Sequence, residues 1–111
     1  MYEIMNKEKS IICGPKNESL SDFITNFDKN YPGFFKKNII VDLSKVSNLK
    51  HSEILLFLNY ANAHYDNQTS FVIIAPKANL DRLPKELIVV PTLIEAMDII
   101  ELEEISRDLG F

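Results

Sequence analysis

Leu20, Phe23, Ile24 and Phe27 recur at i, i+3, i+4 and i+7, a spacing that places all four on one face of a helix. Ser19 stands ahead of them as a candidate N-cap, and Asp22 falls in the first turn, where negative charge is favoured. Pro32-Gly33 requires the helix to stop, because proline disfavours helical geometry in the residue before it. Three later stretches follow another rule. Ile39-Ile40-Val41, Phe71-Val72-Ile73-Ile74 and Leu87-Ile88-Val89-Val90 are apolar at every position, the pattern of strands buried on both faces of a parallel sheet. Between the first two, Ile54 to Tyr65 is apolar at 54, 55, 58, 61 and 65, which predicts a helix with Ser52 near its N-cap and hence one βαβ unit.

Thr92-Leu93-Ile94-Glu95 has the form of a capping box and predicts a final helix over 92–110. At the front, Glu3 to Met5 and Ser10 to Cys13 flank the polar turn Asn6-Lys7-Glu8-Lys9 and predict a hairpin. The coarse order is ββαβαβ, a short irregular stretch, then βα, with no internal repeat, linker or low-complexity tract. The expected fold is α/β in a single domain over 1–111: a mostly parallel sheet with an N-terminal hairpin, packed by helices.

The last helix carries an anomaly. Leu93, Ala96, Met97 and Ile100 cluster on one side, whereas Leu102, Ile105 and Leu109 fall on roughly the opposite side. One straight helix cannot bury both stripes in the same core, so either it bends or the second stripe, with Phe111, meets another surface. Glu95, Asp98, Glu101, Glu103, Glu104 and Asp108 surround the stripes and are answered only by Arg107. Such a helix is either a solvated face or a docking element for a basic or apolar partner.

Composition narrows the function. A chain of 111 residues, 46% hydrophobic and 25% charged, is expected to have a packed core. A net charge of −4 has the wrong sign for phosphate backbones or anionic lipid, so neither nucleic acid nor membrane is expected as a partner. No apolar run approaches the roughly 18 residues that cross a bilayer. The start MYEIMNKEKS lacks an export signal, which predicts a cytoplasmic protein and makes the triplets Asn17-Glu18-Ser19 and Asn67-Gln68-Thr69 chance glycosylation matches.

Chemistry-bearing residues are few. His51 and His64 stand apart with no His-x-His or Cys-x-x-Cys beside them, so no metal site is expected. No Gly-x-Gly-x-x-Gly or Walker pattern occurs, and no cofactor is implied. Cys13 cannot form an intrachain disulfide, and at a strand end it reads as a buried, inert thiol. No nucleophile, base and orienter can be assembled, which argues against an enzyme. The segment Lys45 to Glu53 is the polar turn between a parallel strand and its helix, at the carboxyl end of the strand, where ligands and partners dock in open α/β sheets. Within it Ser52 reads either as a cap or as a phosphate acceptor, while Lys50 and His51 read as solvated loop residues.

Together, the element order and several residues resemble the STAS domain, the fold of bacterial anti-sigma-factor antagonists and of sulfate-transporter tails. Asn38-Ile39-Ile40-Val41-Asp42-Leu43-Ser44-Lys45-Val46-Ser47 is similar to the family's strand and following turn, and Pro91-Thr92-Leu93-Ile94-Glu95-Ala96 to the approach into its last helix. The family's signature after the turn is Asp-Ser-Ser-Gly, whose first serine is phosphorylated in the antagonist branch. Here those positions read Lys50, His51, Ser52 and Glu53, so the serine switch does not carry over directly. Pro76 to Pro84 offers at most one turn where the family has its third helix. The chain looks like a divergent, trimmed member.

Its C-terminal stretch, from Val89 through Phe111, further resembles small STAS-like proteins of Bacteroidetes labelled ribonuclease Z. Two isolated histidines cannot build the dinuclear zinc site of that enzyme, so the label implies at most an association with one. The resemblance implies a non-enzymatic interaction module, acting through Lys50 to Glu53, through the C-terminal helix, or both. Its candidate partners are a regulator, a kinase or a ribonuclease Z-type enzyme, with a homodimer left open. A switch phosphorylated at Ser52 or His51, and a small-ligand binder using the strand ends, are the alternatives.

Overall fold

The computed structural model describes residues 2–7 and 10–110. Five strands, β1 (Tyr2–Lys7), β2 (Ser10–Cys13), β3 (Asn38–Asp42), β4 (Phe71–Ile74) and β5 (Ile88–Val90), form one sheet in the order β1-β2-β3-β4-β5. β1 runs antiparallel to β2, and all later neighbours are parallel. The expected hairpin is present, with β1 extending through Asn6 and Lys7, which the sequence pattern assigned to the turn. Glu8 and Lys9 lie outside the described residues.

The helices are α1 (Leu20–Asn30), α2 (His51–Ile54), α3 (Leu58–Asp66) and α4 (Leu93–Asp108). Ser19 caps α1, its Oγ accepting from Asp22 N at 3.1 Å, and the α-helix ends before Pro32, as expected. The single helix expected over Ile54 to Tyr65 is instead α2 and α3 joined by a 3₁₀ turn at Leu55–Phe57. Three residues per turn align Ile54 with Phe57, so both enter the core while Leu55 and Leu56 stay exposed. The segment between β4 and β5 keeps one 3₁₀ turn, Leu80–Arg82.

Connections between parallel neighbours are right-handed almost without exception. Because β2 to β5 follow one another in a single direction, that rule sends every crossover to the same face. Phe23 and Phe27 of α1, Ile54 of α2 and Ala61 of α3 accordingly share one core with Ile11, Ile39, Val41, Ile73 and Val89. The opposite face is left to α4, whose Ala96 and Ile100 meet Ile12, Ile40, Val72 and Ile74. Apolarity at every strand position is the record of this two-sided burial.

The larger core is built around Phe27. Its fully buried ring lies 4.9 Å from that of Tyr60, edge-on, and within 5.7 to 6.4 Å of Phe23, Tyr31, Phe34, Phe57 and Phe71. Gly14, just after β2, is required by close approach, since a Cβ there would collide with the Asp42 carbonyl oxygen. Phe27→Ala should destabilise the protein by about 3–5 kcal/mol, because it opens a cavity that rings from three elements cannot jointly fill. Urea denaturation measures this, and a loss below about 1 kcal/mol would show that the cluster collapses around the gap.

Candidate functional site

Three regions carry the residues singled out by sequence: the turn into α2, the outer face of α4, and the two histidines.

At the turn, the structure changes the expected roles. Lys50, not Ser52, is the N-cap of α2, with an extended backbone. The Glu53 carboxylate accepts the Lys50 N–H at 2.8 Å, satisfying the backbone that a capping serine would otherwise leave to solvent. Ser52 therefore sits inside the first turn, exposed and free of any capping duty. His51 is not a solvated loop residue: it opens the helix half-buried, with Nε2 shielded and without a hydrogen-bond partner among the described residues. Lys50 is exposed, as expected. Beside this turn, at the carboxyl ends of β3 and β4, lies a cleft of about 490 Å³ lined by Ser44, Lys45, Ser47, Asn48 and Lys77.

α4 runs as one uninterrupted α-helix, opened as expected by Thr92, whose Oγ1 accepts from Glu95 N at 3.2 Å. Its inner side is held at both ends. Ala96 and Ile100 are buried in the sheet, and near the C-terminus the Arg107 guanidinium donates through both Nη atoms to Ser70 Oγ at 3.3 Å. Ser70 is itself fixed, its N–H donating to the buried Asn38 Oδ1 at 2.8 Å. Arg107 thus turns inward to a hydroxyl and does not answer the acidic residues around it.

With the inner stripe anchored, the second stripe faces solvent: Leu102 is 62%, Ile105 48% and Leu109 66% exposed. Phe111, expected to continue it, lies outside the described residues. Sequence reading missed Ile94, 73% exposed. At 100° per residue Ile94 falls in the same arc of about 80° as the other three, so the signal was present but masked by its place in the capping box. A second cleft, of about 650 Å³, opens at the starts of β4 and β5, where Tyr65, Thr69, Ile88, Glu103 and Arg107 line it.

His64 is fully buried on α3. Its Nδ1 lies 2.7 Å from Thr69 Oγ1, whose own proton points to the His64 carbonyl at 3.4 Å, which assigns Nδ1 the donor role. Nε2 is left unpartnered among the described residues, beside the rings of Tyr31, Phe35 and Phe71, 5.5 to 6.0 Å away between centroids. Burial holds its pKa down to about 4, so it is a neutral core residue at ordinary pH. Cys13 is buried with its Sγ toward the Ile40 carbonyl, and burial pushes the thiol up to about 12, as befits the inert role expected of it. Among the described residues no group of three His, Cys, Asp or Glu is placed to hold a metal ion, and no helix is long and apolar enough to cross a membrane.

No protein-family model matches the chain, and comparison with curated proteins finds no match.

The His64 geometry fixes the sign of a pH effect. Unfolded, the imidazole titrates near 6.5, and folded near 4, so between those values only the unfolded chain binds the proton. Stability from this group is complete above pH 6.5 and lost as pH falls to about 4, a difference of about 3 kcal/mol. In urea denaturation across that window, His64→Phe should flatten the pH slope relative to the parent, and an unchanged slope would exclude His64 as its source.

Proposed function

We propose that the chain is a non-enzymatic, cytoplasmic protein–protein interaction module of STAS type, a divergent and trimmed member that engages another protein through the outer face of α4. The element order supports the family reading: an antiparallel hairpin strand, four parallel strands in sequence, a single 3₁₀ turn where a third helix would stand, and a closing helix. His51 stands where the family has its acceptor serine, which argues for binding without the ordinary phosphoswitch.

One observation carries the proposal. Ile94, Leu102, Ile105 and Leu109 lie on a helix whose inner side is fully engaged, so no rearrangement within the core buries them. Scattered single apolar residues on a surface need no explanation, but four in one arc of one helix constitute a docking face. Exposure of Ser52 in the first turn of α2 favours, as the second reading, a switch phosphorylated there.

The test compares the intact protein with Leu102→Glu, Ile105→Glu, Leu109→Glu, all at exposed positions that should leave the melting temperature nearly unchanged. A partner captured from the native cell, then purified and titrated directly, should bind the variant at least about tenfold more weakly, equivalent to about 1.4 kcal/mol. Equal affinity for the folded variant would remove α4 as the interface. Intact mass of the native protein decides the second reading: added phosphate lost on Ser52→Ala supports it, and unmodified protein in every growth condition sinks it.

A further inference from the structure

Along the outer face of α4 the exposed acids Glu95, Asp98 and Glu101 precede the exposed apolar residues Leu102, Ile105 and Leu109, both sets centred on the same side of the helix, with Ile94 the single exposed apolar residue ahead of the acids. Asp98 and Ile105, the middle members, are seven positions apart, about 11 Å of helix rise. Every cation is missing from this side, because Arg107, the helix's only base, is turned inward to Ser70. Six of the chain's sixteen acids lie in α4, which leaves the remaining residues with a net charge of +1. The negative charge of the protein is therefore a property of this one helix.

Charge decides between the occupants. A second copy packed parallel would set acid on acid, and packed antiparallel would bury each acidic half under the apolar half of its neighbour, desolvating carboxylates with no partner. An anionic lipid surface is repelled by the same carboxylates. A basic segment meets both requirements.

We propose that the outer face of α4 takes a helical segment of a partner protein whose apolar anchors and whose Lys or Arg residues are grouped at opposite ends, about 11 Å apart. This rests on the interaction-module reading and specifies the partner's chemistry. The anchors lie over Leu102, Ile105 and Leu109, where desolvation supplies most of the affinity, and the cations over Glu95, Asp98 and Glu101, which set direction and register along the helix.

Synthetic peptides of about 16 residues, matched to the 16 of α4, test it by NMR titration of the full chain. One groups Leu at one end of a face and Lys at the other; a second has the same composition with Leu and Lys interspersed; a third replaces each Lys of the first by Glu. The grouped basic peptide should perturb amides of residues 94–109 and bind about tenfold more tightly than the interspersed one. Glu95→Lys, Asp98→Lys, Glu101→Lys should reverse the preference, losing the basic peptide and gaining the Glu version. Equal binding of grouped and interspersed peptides, perturbation centred elsewhere, or a dimer by sedimentation that the Glu-to-Lys variant strengthens would each overturn it. Should the apolar-stripe variant lose a natural partner while charge reversal leaves that partner's affinity unchanged, the interaction module stands and this inference fails.

Discussion

A parallel sheet whose strands follow in one direction puts all its crossover helices on one face, and everything else about this protein follows from that constraint. The opposite face is as apolar as the first, since Ile12, Ile40, Val72 and Ile74 point there, and it must be covered by whatever chain remains after β5. α4 is that cover. It cannot rotate to bury its second stripe without uncovering the sheet, and it cannot leave without exposing the branched side chains of three strands to water. Its outer face is consequently committed to solvent or to something outside the chain.

The two faces are held differently. On the crossover side, rings from α1, α3 and β4 converge on Phe27 and enclose His64, so that side is a large, aromatic core in which even an imidazole is kept neutral. On the α4 side the burial is smaller and mainly aliphatic, and the helix gains a polar fastening at its far end. Asn38, Ser70 and Arg107, at the starts of β3 and β4 and near the end of α4, form one hydrogen-bonded line. Helix termini are the first parts to fray, and this line holds the C-terminal end, where the exposed stripe is densest.

The candidate functional residues divide along the same axis. The Lys50 to Glu53 turn lies at the carboxyl ends of the strands, where α/β sheets ordinarily place their chemistry, yet its local bonding is spent on closing α2. α4 does the opposite: its caps and inner contacts are complete, and the surplus of apolar and acidic side chains lies outside. Large apolar groups left together in water on a helix whose inner side is engaged are what the proposed interaction module rests on.

Much of this was legible in one sequence. The strands, their parallel arrangement, α1 with Ser19 as cap, the Thr92 cap, the single turn before β5 and the opposed stripes of the last helix all follow from local periodicity and capping chemistry, because those rules act over a few residues. The split of the middle helix, the transfer of the N-cap from Ser52 to Lys50, the burial of His64 and the inward turn of Arg107 do not. The cap at Lys50 rests on a local bond to Glu53, but the other three depend on groups distant in sequence: Ile54 and Phe57 must both reach the core under α1, His64 meets Tyr31 and Phe71, and Arg107 meets Ser70. The sequence by itself determined that α4 has two apolar sides. Only the tertiary structure decided which one is buried, because that choice belongs to the sheet face left open by the crossovers, and that face exists only once the strands are paired.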